Sequence, residues 1–221
     1  ITYTQWLNSA GRLEADLTVT KLADDRFFVV VTDTMVRHAG AWMKRNIPDD
    51  AHAFVTDVTA GYGQLNVQGP RSRELLQRLT SVDLGNEAFP FRTARESDLG
   101  FARVLCVRIT YLGELGYEIY APAEQAVHVY DRIVAAGREL GLVHAGLKAL
   151  ASLRLEKGYR DYGHDIDNTD DPWETGLGFA VAVDKPGGFV GRDAALARRA
   201  RGPMQRRLVQ VLVQDPEPLM F

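Results

Sequence analysis

The sequence predicts an α+β fold in which β-hairpins are closed by helices. Two segments carry the prediction. Residues 16–47, DLTVTKLADDRFFVVVTDTMVRHAGAWMKRNI, and residues 105–137, LCVRITYLGELGYEIYAPAEQAVHVYDRIVAAG, each read as strand, turn, strand, helix. In both, apolar residues first alternate with period two and then recur at helical spacing. Repeated hairpin-plus-helix units are the pattern of an antiparallel sheet with helices on one face.

The elements follow in order. LNSAGRLEADLTVTKL begins at Leu7 as a turn and ends as a strand. Asp16 stands at the start of that strand, where an acid is unusual. It either ends the loop or faces a ligand, and the local sequence leaves both open. The first hairpin turns at Ala23-Asp24-Asp25. In GQLNVQGPRSRELLQRLT a short strand runs into Gly69-Pro70, and a helix follows with Leu75, Leu76 and Leu79 facing inward. Pro70 suits a first helical turn, where its missing N–H is not needed. The second hairpin turns at Leu112-Gly113, glycine supplying the unusual backbone angles. Its closing helix carries Val127, Tyr130, Ile133, Val134 and Gly137 at helical spacing. GLKALASLRLEKG predicts a helix from about Leu147, with Leu150, Leu153 and Leu155 apolar and Gly158 as its cap. DPWETGLGFAVAVDKPGGFVGRDAAL is turn-rich, with a short apolar strand expected around 179–183. RRLVQVLVQ reads as a last strand, and DPEPLMF leaves it without closing a unit, so both ends read as cut. The expected division is 1–62, a first hairpin-helix part; 63–200, a second α+β part; and 201–221, the start of a further β-structure.

Composition narrows the function. The chain has 221 residues, enough for a packed core, and a net charge of -3, so no global basic field points to nucleic acid. No run of 18 apolar residues suggests a membrane span, and ITYTQWLNS has no leader character. The single Cys106 excludes an internal disulfide and a cysteine zinc site, and fits a reducing, cytoplasmic compartment. His38, His52, His128, His144 and His164 have no metal-ligand spacing. The basic run RDAALARRARGPMQRR lacks interleaved aromatics and reads as a solvated helix. No nucleophile elbow, phosphate loop or dinucleotide fingerprint is present.

Carboxylates beside aromatics remain, and ITYLGELGYEIY is the richest stretch. Strand alternation sets Glu118 on the face opposite Tyr117 and Ile119. If those two face a core, Glu118 is solvent-exposed. If both faces are covered, it is a partly buried acid that needs a donor-rich partner, such as the N–H fork of a pterin.

Five stretches together resemble the aminomethyltransferase (glycine-cleavage T-protein) family: YTQWLNSAGRLEADLTVTKL, LNVQGPRSRELLQRLT, RITYLGELGYEIYAP, GLKALASLRLEKGYRDYGHDID and DPWETGLGFAVAVDKPGGFVGRDAAL. The closer likeness is to the folate-binding C-terminal half of FAD-dependent dimethylglycine and sarcosine dehydrogenases. The resemblance implies a folate-binding α+β domain with ferredoxin-like units, lacking here the family's first stretch and most of its β-barrel, which would begin in 201–221. It implies a site in which Asp16 is catalytic and Tyr3, Val30, Tyr111, Glu118 and Phe179 bind tetrahydrofolate. Two positions depart from the T-protein pattern: Leu150 stands where the T-protein has an Arg that contacts folate, and Thr32 stands where it has an Asn. Both favour the FAD-linked branch. Members used in iron–sulfur protein maturation carry a Cys-containing K-G-C-Y-x-G-Q-E motif; this chain has EKGYRDYGHD, without the cysteine.

The implied chemistry is one-carbon transfer. FAD in a separate domain oxidises a secondary or tertiary amine such as dimethylglycine or sarcosine, and tetrahydrofolate here captures the iminium or formaldehyde as methylenetetrahydrofolate. The implied partners are the folate, the amine and the FAD-binding domain, with no nucleic acid and no membrane; a eukaryotic member would be mitochondrial. The rival readings are an aminomethyltransferase acting on a lipoyl-bound group, and a non-catalytic folate-binding module.

Overall fold

The computed structural model describes residues 1–215 and 217. Its strands are β1 (Thr2–Leu7), β2 (Leu13–Ala23), β3 (Arg26–Val31), β4 (Tyr62–Gln68), β5 (Ala94–Leu99), β6 (Ala102–Val107) and β7 (Gly116–Pro122). Its α-helices are α1 (Val36–Arg45), α2 (Ser72–Gln77), α3 (Ala126–Gly137), α4 (Leu147–Glu156) and α5 (Arg192–Ala200). One sheet has the order β1-β2-β3 and the other β4-β7-β6-β5. The chain forms two compact units, one of Ile1–Tyr3 with Leu17–Tyr159, the other of Thr4–Asp16 with the described residues from Arg160 on. Each is built from segments far apart in sequence.

In the first unit, β2 and β3 pair antiparallel from Leu17↔Val31 to Ala23↔Arg26 across the two-residue turn Asp24-Asp25, as expected. The four-stranded sheet is antiparallel throughout. β7 returns between β4 and β6, so β4, α2, β6, β7 and α3 follow a split β-α-β order of ferredoxin-like type. One sheet face supplies Val67, Val104, Cys106, Tyr117, Ile119 and Ala121 to a single apolar cluster, closed by Leu75 and Leu76 of α2 and Val129 and Ile133 of α3. Leu75 and Leu76 are buried and Leu79 packs against the cluster, as helical spacing requires.

Three expectations change. The second hairpin has no tight turn at Leu112-Gly113: an eight-residue loop, 108–115, joins β6 to β7, with Gly113 at φ +71°. The inward face of α3 is Val129, Ile133 and Gly137, spaced i, i+4, i+8, while Val127 is 71% exposed and Tyr130 turns outward to hydrogen-bond His144. On α4, Leu147, Leu153 and Leu155 are exposed; Arg154 is the buried residue, donating from Nη1 to the Tyr159 carbonyl at 3.0 Å. Gly158 at φ +65° does stop this helix.

In the second unit, Asn8 and Gly11 make the turn into β2, and Leu13 N–H donates to the Asp170 carbonyl. Asp171 is 2% exposed and organises DPWET. Its Oδ1 accepts from the Trp173 and Glu174 N–H groups, and its carbonyl accepts from Thr175 Oγ1. Trp173 Nε1 donates to the Ala195 carbonyl of α5 at 3.0 Å. The strand expected at 179–183 is replaced by a 3-10 turn, Gly178–Ala180, whose backbone N–H groups bond two or three residues back instead of across a ladder. The strand expected over 206–214 is also absent among the described residues. A strand needs a ladder, and none forms among the described residues: the Leu208 N–H donates to the Glu174 carbonyl, while Val209, Val211 and Leu212 are exposed. Most of DPEPLMF lies outside the described residues.

Gly191 is where this unit requires glycine. It sits at φ +77°, and a Cβ there would lie 2.0 Å from the Asn8 carbonyl oxygen. Gly191→Ala should therefore cost about 1–3 kcal/mol from backbone conformation alone, with more from the clash. Thermal unfolding should show a fall of several degrees; an unchanged midpoint would contradict this packing of 8–11 against 191.

Candidate functional site

The sheet of the first unit has a second face. Alternation puts Glu118 and Tyr120 of β7 on it, opposite Asn66 and Gln64 of β4 by register. Glu118 is half-buried, between the two outcomes that alternation left open. Tyr120 is 5% exposed, and its hydroxyl donates to Glu118 Oε2 at 2.6 Å. Gln64 Nε2 donates to the Tyr120 hydroxyl at 3.4 Å. The ring of Phe28, from β3, stands edge-on to Tyr120 at 5.1 Å and to Tyr62 at 5.7 Å. The result is a carboxylate held by neutral donors beside three aromatic rings.

Burial pushes the Glu118 carboxyl above its ordinary value, and the hydrogen bonds from Tyr120 and Gln64 pull it part of the way back. Burial, with the nearby Glu118 charge, pushes the Tyr120 hydroxyl far up, so it stays a protonated donor at any working pH. Val30 lies on β3 opposite Thr18. Tyr3 is a half-buried residue of β1. Tyr111, in the 108–115 loop, stacks on Tyr159 with centroids 6.2 Å apart.

The second unit holds the other two candidates. Asp16 does not start its strand: it is the fourth residue of β2, which begins at Leu13. This removes the loop-end reading. Asp16 Oδ1 accepts from Gln5 Nε2 of β1 at 2.8 Å. Gln5 is 9% exposed, and its own Oε1 is buried with no hydrogen-bond partner among the described residues. Tyr162 donates to the Glu14 carbonyl, and burial with the charges of Glu14, Asp167, Asp16 and Asp170 pushes its hydroxyl up to about 12. Phe179, by contrast, is 77% exposed on its 3-10 turn.

Sequence reading singled out neither Tyr120, Gln64, Phe28 nor Gln5. Tyr120 had a signal, since it stands two residues from Glu118 on one strand. The others required register between distant strands. Other chemistry recedes. Burial pushes the Cys106 thiol up to about 12, so it is no thiolate nucleophile. Among the described residues no group of His, Cys, Asp or Glu is placed to hold a metal ion. The basic run packs onto its own unit: Arg199 lies over the Trp173 ring, and Arg206 pairs with Asp170 at 3.0 Å. No described helix is long and apolar enough to cross a membrane.

The family model described as the GCVT N-terminal domain matches residues 1–185. The chain belongs to that family. Among curated relatives, this GCVT chain is 42% identical over 217 residues to a formaldehyde-forming 4-methylaminobutanoate oxidase of Paenarthrobacter nicotinovorans, covering 98% of this chain and 26% of the relative. It is 35% identical over 231 residues to the mitochondrial sarcosine dehydrogenase of Homo sapiens, covering 98% and 25%. It thus spans about a quarter of the length of these relatives. The crystal structure of glycine cleavage system aminomethyltransferase T from Bartonella henselae superposes with a TM-score of 0.76 at 26% identity, over 91% of this chain and 53% of that one. The expected family and α+β fold are thereby found.

The donor set of this GCVT domain fits a reduced folate. A pterin presents N–H groups on a flat ring, and the first unit offers a half-buried carboxylate beside aromatic rings. In the second unit, Gln5 Oε1 next to Asp16 is a buried acceptor with no partner among the described residues.

Glu118 also links the site to stability. Its folded pKa lies above the ordinary 4.5, so its contribution is whole below 4.5 and is lost as pH rises through the folded value. Glutamine carries no charge at any pH. Glu118→Gln should therefore raise the unfolding temperature at pH 7, with the gain shrinking as pH falls through the folded value and gone below 4.5. Calorimetry across that range checks it; a loss at pH 7 contradicts the assignment.

Proposed function

We propose that this chain is the reduced-folate-binding, one-carbon-transfer part of an amine-demethylating oxidoreductase of the dimethylglycine/sarcosine type. The observation that carries the reading is Glu118, a half-buried carboxylate held by Tyr120 and Gln64 instead of by a cation. The printed activities of the relatives, a formaldehyde-forming oxidase and a sarcosine dehydrogenase, support the demethylating class. Reduced folate, when bound, supplies the two nitrogens that take up the one-carbon unit as methylenetetrahydrofolate. Glu118 and the aromatic rings beside it bind and orient the pterin. Tyr3, Val30, Tyr111 and Phe179 complete the folate-binding set in this proposal. Asp16, fixed by Gln5, steadies positive charge as the amine-derived carbon is transferred. Much of the rate would come from holding the reacting groups together and away from water. The sequence contains no G-x-G-x-x-G loop, so the FAD that would oxidise the amine is assigned to a separate domain.

A glycine-cleavage-type aminomethyltransferase is the second reading, favoured by the structural neighbour. Leu150 and Thr32, which replace that branch's Arg and Asn, weigh against it.

Calorimetry of the full-length protein with folinic acid should show saturable binding. Glu118→Gln should weaken it by about 1.5–3 kcal/mol, the worth of a hydrogen bond to a charged group, with the fold intact; unchanged affinity would remove Glu118 from the site. In the same protein, Asp16→Asn should leave flavin reduction by the amine near normal. It should cut methylenetetrahydrofolate formation about tenfold, or about 1.4 kcal/mol, with released formaldehyde rising to match. Loss of neither activity would make Asp16 a strand residue and nothing more.

A further inference from the structure

We infer that Tyr120, backed by Gln64, is a positioning residue for Glu118: its hydroxyl holds one carboxylate oxygen, so that the other is presented to the N–H edge of the ligand. The inference rests on the folate reading above and deepens it. Three observations combine. Tyr120 and Glu118 are two apart on β7 and share a face, so the 2.6 Å hydrogen bond runs along the strand and ends on Oε2. Gln64 stands directly opposite Tyr120 in the β4–β7 register and donates to the same hydroxyl, leaving the Tyr120 proton for Glu118. The Tyr120 ring is 5% exposed and meets Phe28 edge-on at 5.1 Å, so its plane is fixed by packing, whereas Gln64 and Asn66 on the same face are exposed.

The arrangement also offsets part of the burial cost of the Glu118 charge without a cation. The groups that act on the carboxylate are burial, Tyr120 and Gln64; no charged side chain is among them. From β4 it is met by Asn66 and Gln64, from β6 by Val107, from β7 by Tyr120, and β3 brings Phe28 against that tyrosine. A cation would neutralise the acid and compete with the ligand's N–H groups. A neutral donor favours the charged form and leaves its charge free to recognise them.

The test is folinic acid affinity of the full-length protein measured against pH for the parent, Tyr120→Phe and Glu118→Gln. Phenylalanine keeps the ring and its contact with Phe28 and removes only the donor. Tyr120→Phe should move the acid limb of the affinity profile up by about one pH unit, as expected for loss of a hydrogen bond to a charged group, and lower the plateau affinity several-fold. The unfolding temperature of each variant is recorded alongside. An unshifted acid limb overturns the inference, whether the plateau affinity stays the same or falls, because a packing role would lower affinity without moving the pH at which Glu118 protonates. If the parent does not bind folinic acid, the folate reading fails; if Glu118→Gln binds it as the parent does, Glu118 leaves the site and takes the inference with it. Loss in Glu118→Gln with an unshifted Tyr120→Phe limb sinks the inference alone.

Discussion

The antiparallel ladder between β4 and β7 is the constraint on which the first unit depends. It joins Tyr62–Gln68 to Gly116–Pro122, and its register fixes both faces at once. Because side chains alternate, the pairing that buries Val67, Tyr117 and Ile119 against α2 and α3 also sends Glu118, Tyr120 and Gln64 to the other side. A slip of one residue would exchange the faces, putting a carboxylate into the apolar cluster and Tyr117 and Ile119 into the open. Core and candidate site are therefore specified by a single interaction. The site's register is protected by the large free energy of burying that cluster, to which each fully buried side chain contributes about 1.5–3 kcal/mol.

Within that frame the cost of burying a charge falls on Glu118. The strand spends stability to keep a partly desolvated acid where a well-packed neutral residue would be less costly, and two neutral donors only partly offset the expense. Such local conflict between fold and charge is what functional sites show, since the stored disfavour can be relieved by a ligand that brings its own donors. The purely structural acids look different. Glu74 meets Arg71 and Arg78, and Glu96 meets Arg103; in both cases the arginine holds the carboxyl below its ordinary range.

What could be read from sequence divides along the same physical line. The β2–β3 hairpin, the leucine face of α2 and the glycine stop of α4 rest on neighbours a few residues apart, and they stand in the structure as expected. The same holds for Glu118 on the face away from Tyr117 and Ile119. The errors came where a distant partner decides. Val127 and Tyr130 are apolar at helical spacing, but the sheet selects Val129, Ile133 and Gly137 of α3. The apolar runs at 179–183 and 206–214 suit strands, yet without a ladder partner among the described residues they form turns and extended chain. Gln64 and Gln5 escaped notice for the same reason. Glutamine carries no sign of function until register sets Gln64 opposite Tyr120 and the sheet brings Gln5 to Asp16.

Asp16 and Asp171 make the contrast within the second unit. Asp171 is 2% exposed and satisfied by two backbone N–H groups, a turn-building role that Asp fills through its short side chain. Asp16 is in mid-strand, where no backbone turn needs it and where its residue type is disfavoured. It is held instead by a side-chain amide, and that amide's carbonyl is buried without a partner among the described residues. A fold selected for stability alone would have little reason to keep an acid in a strand interior with an unsatisfied oxygen beside it, since each feature costs free energy and neither completes the ladder. In the proposed function the two costs are offset together by N–H groups, or by a developing positive charge, brought to that place.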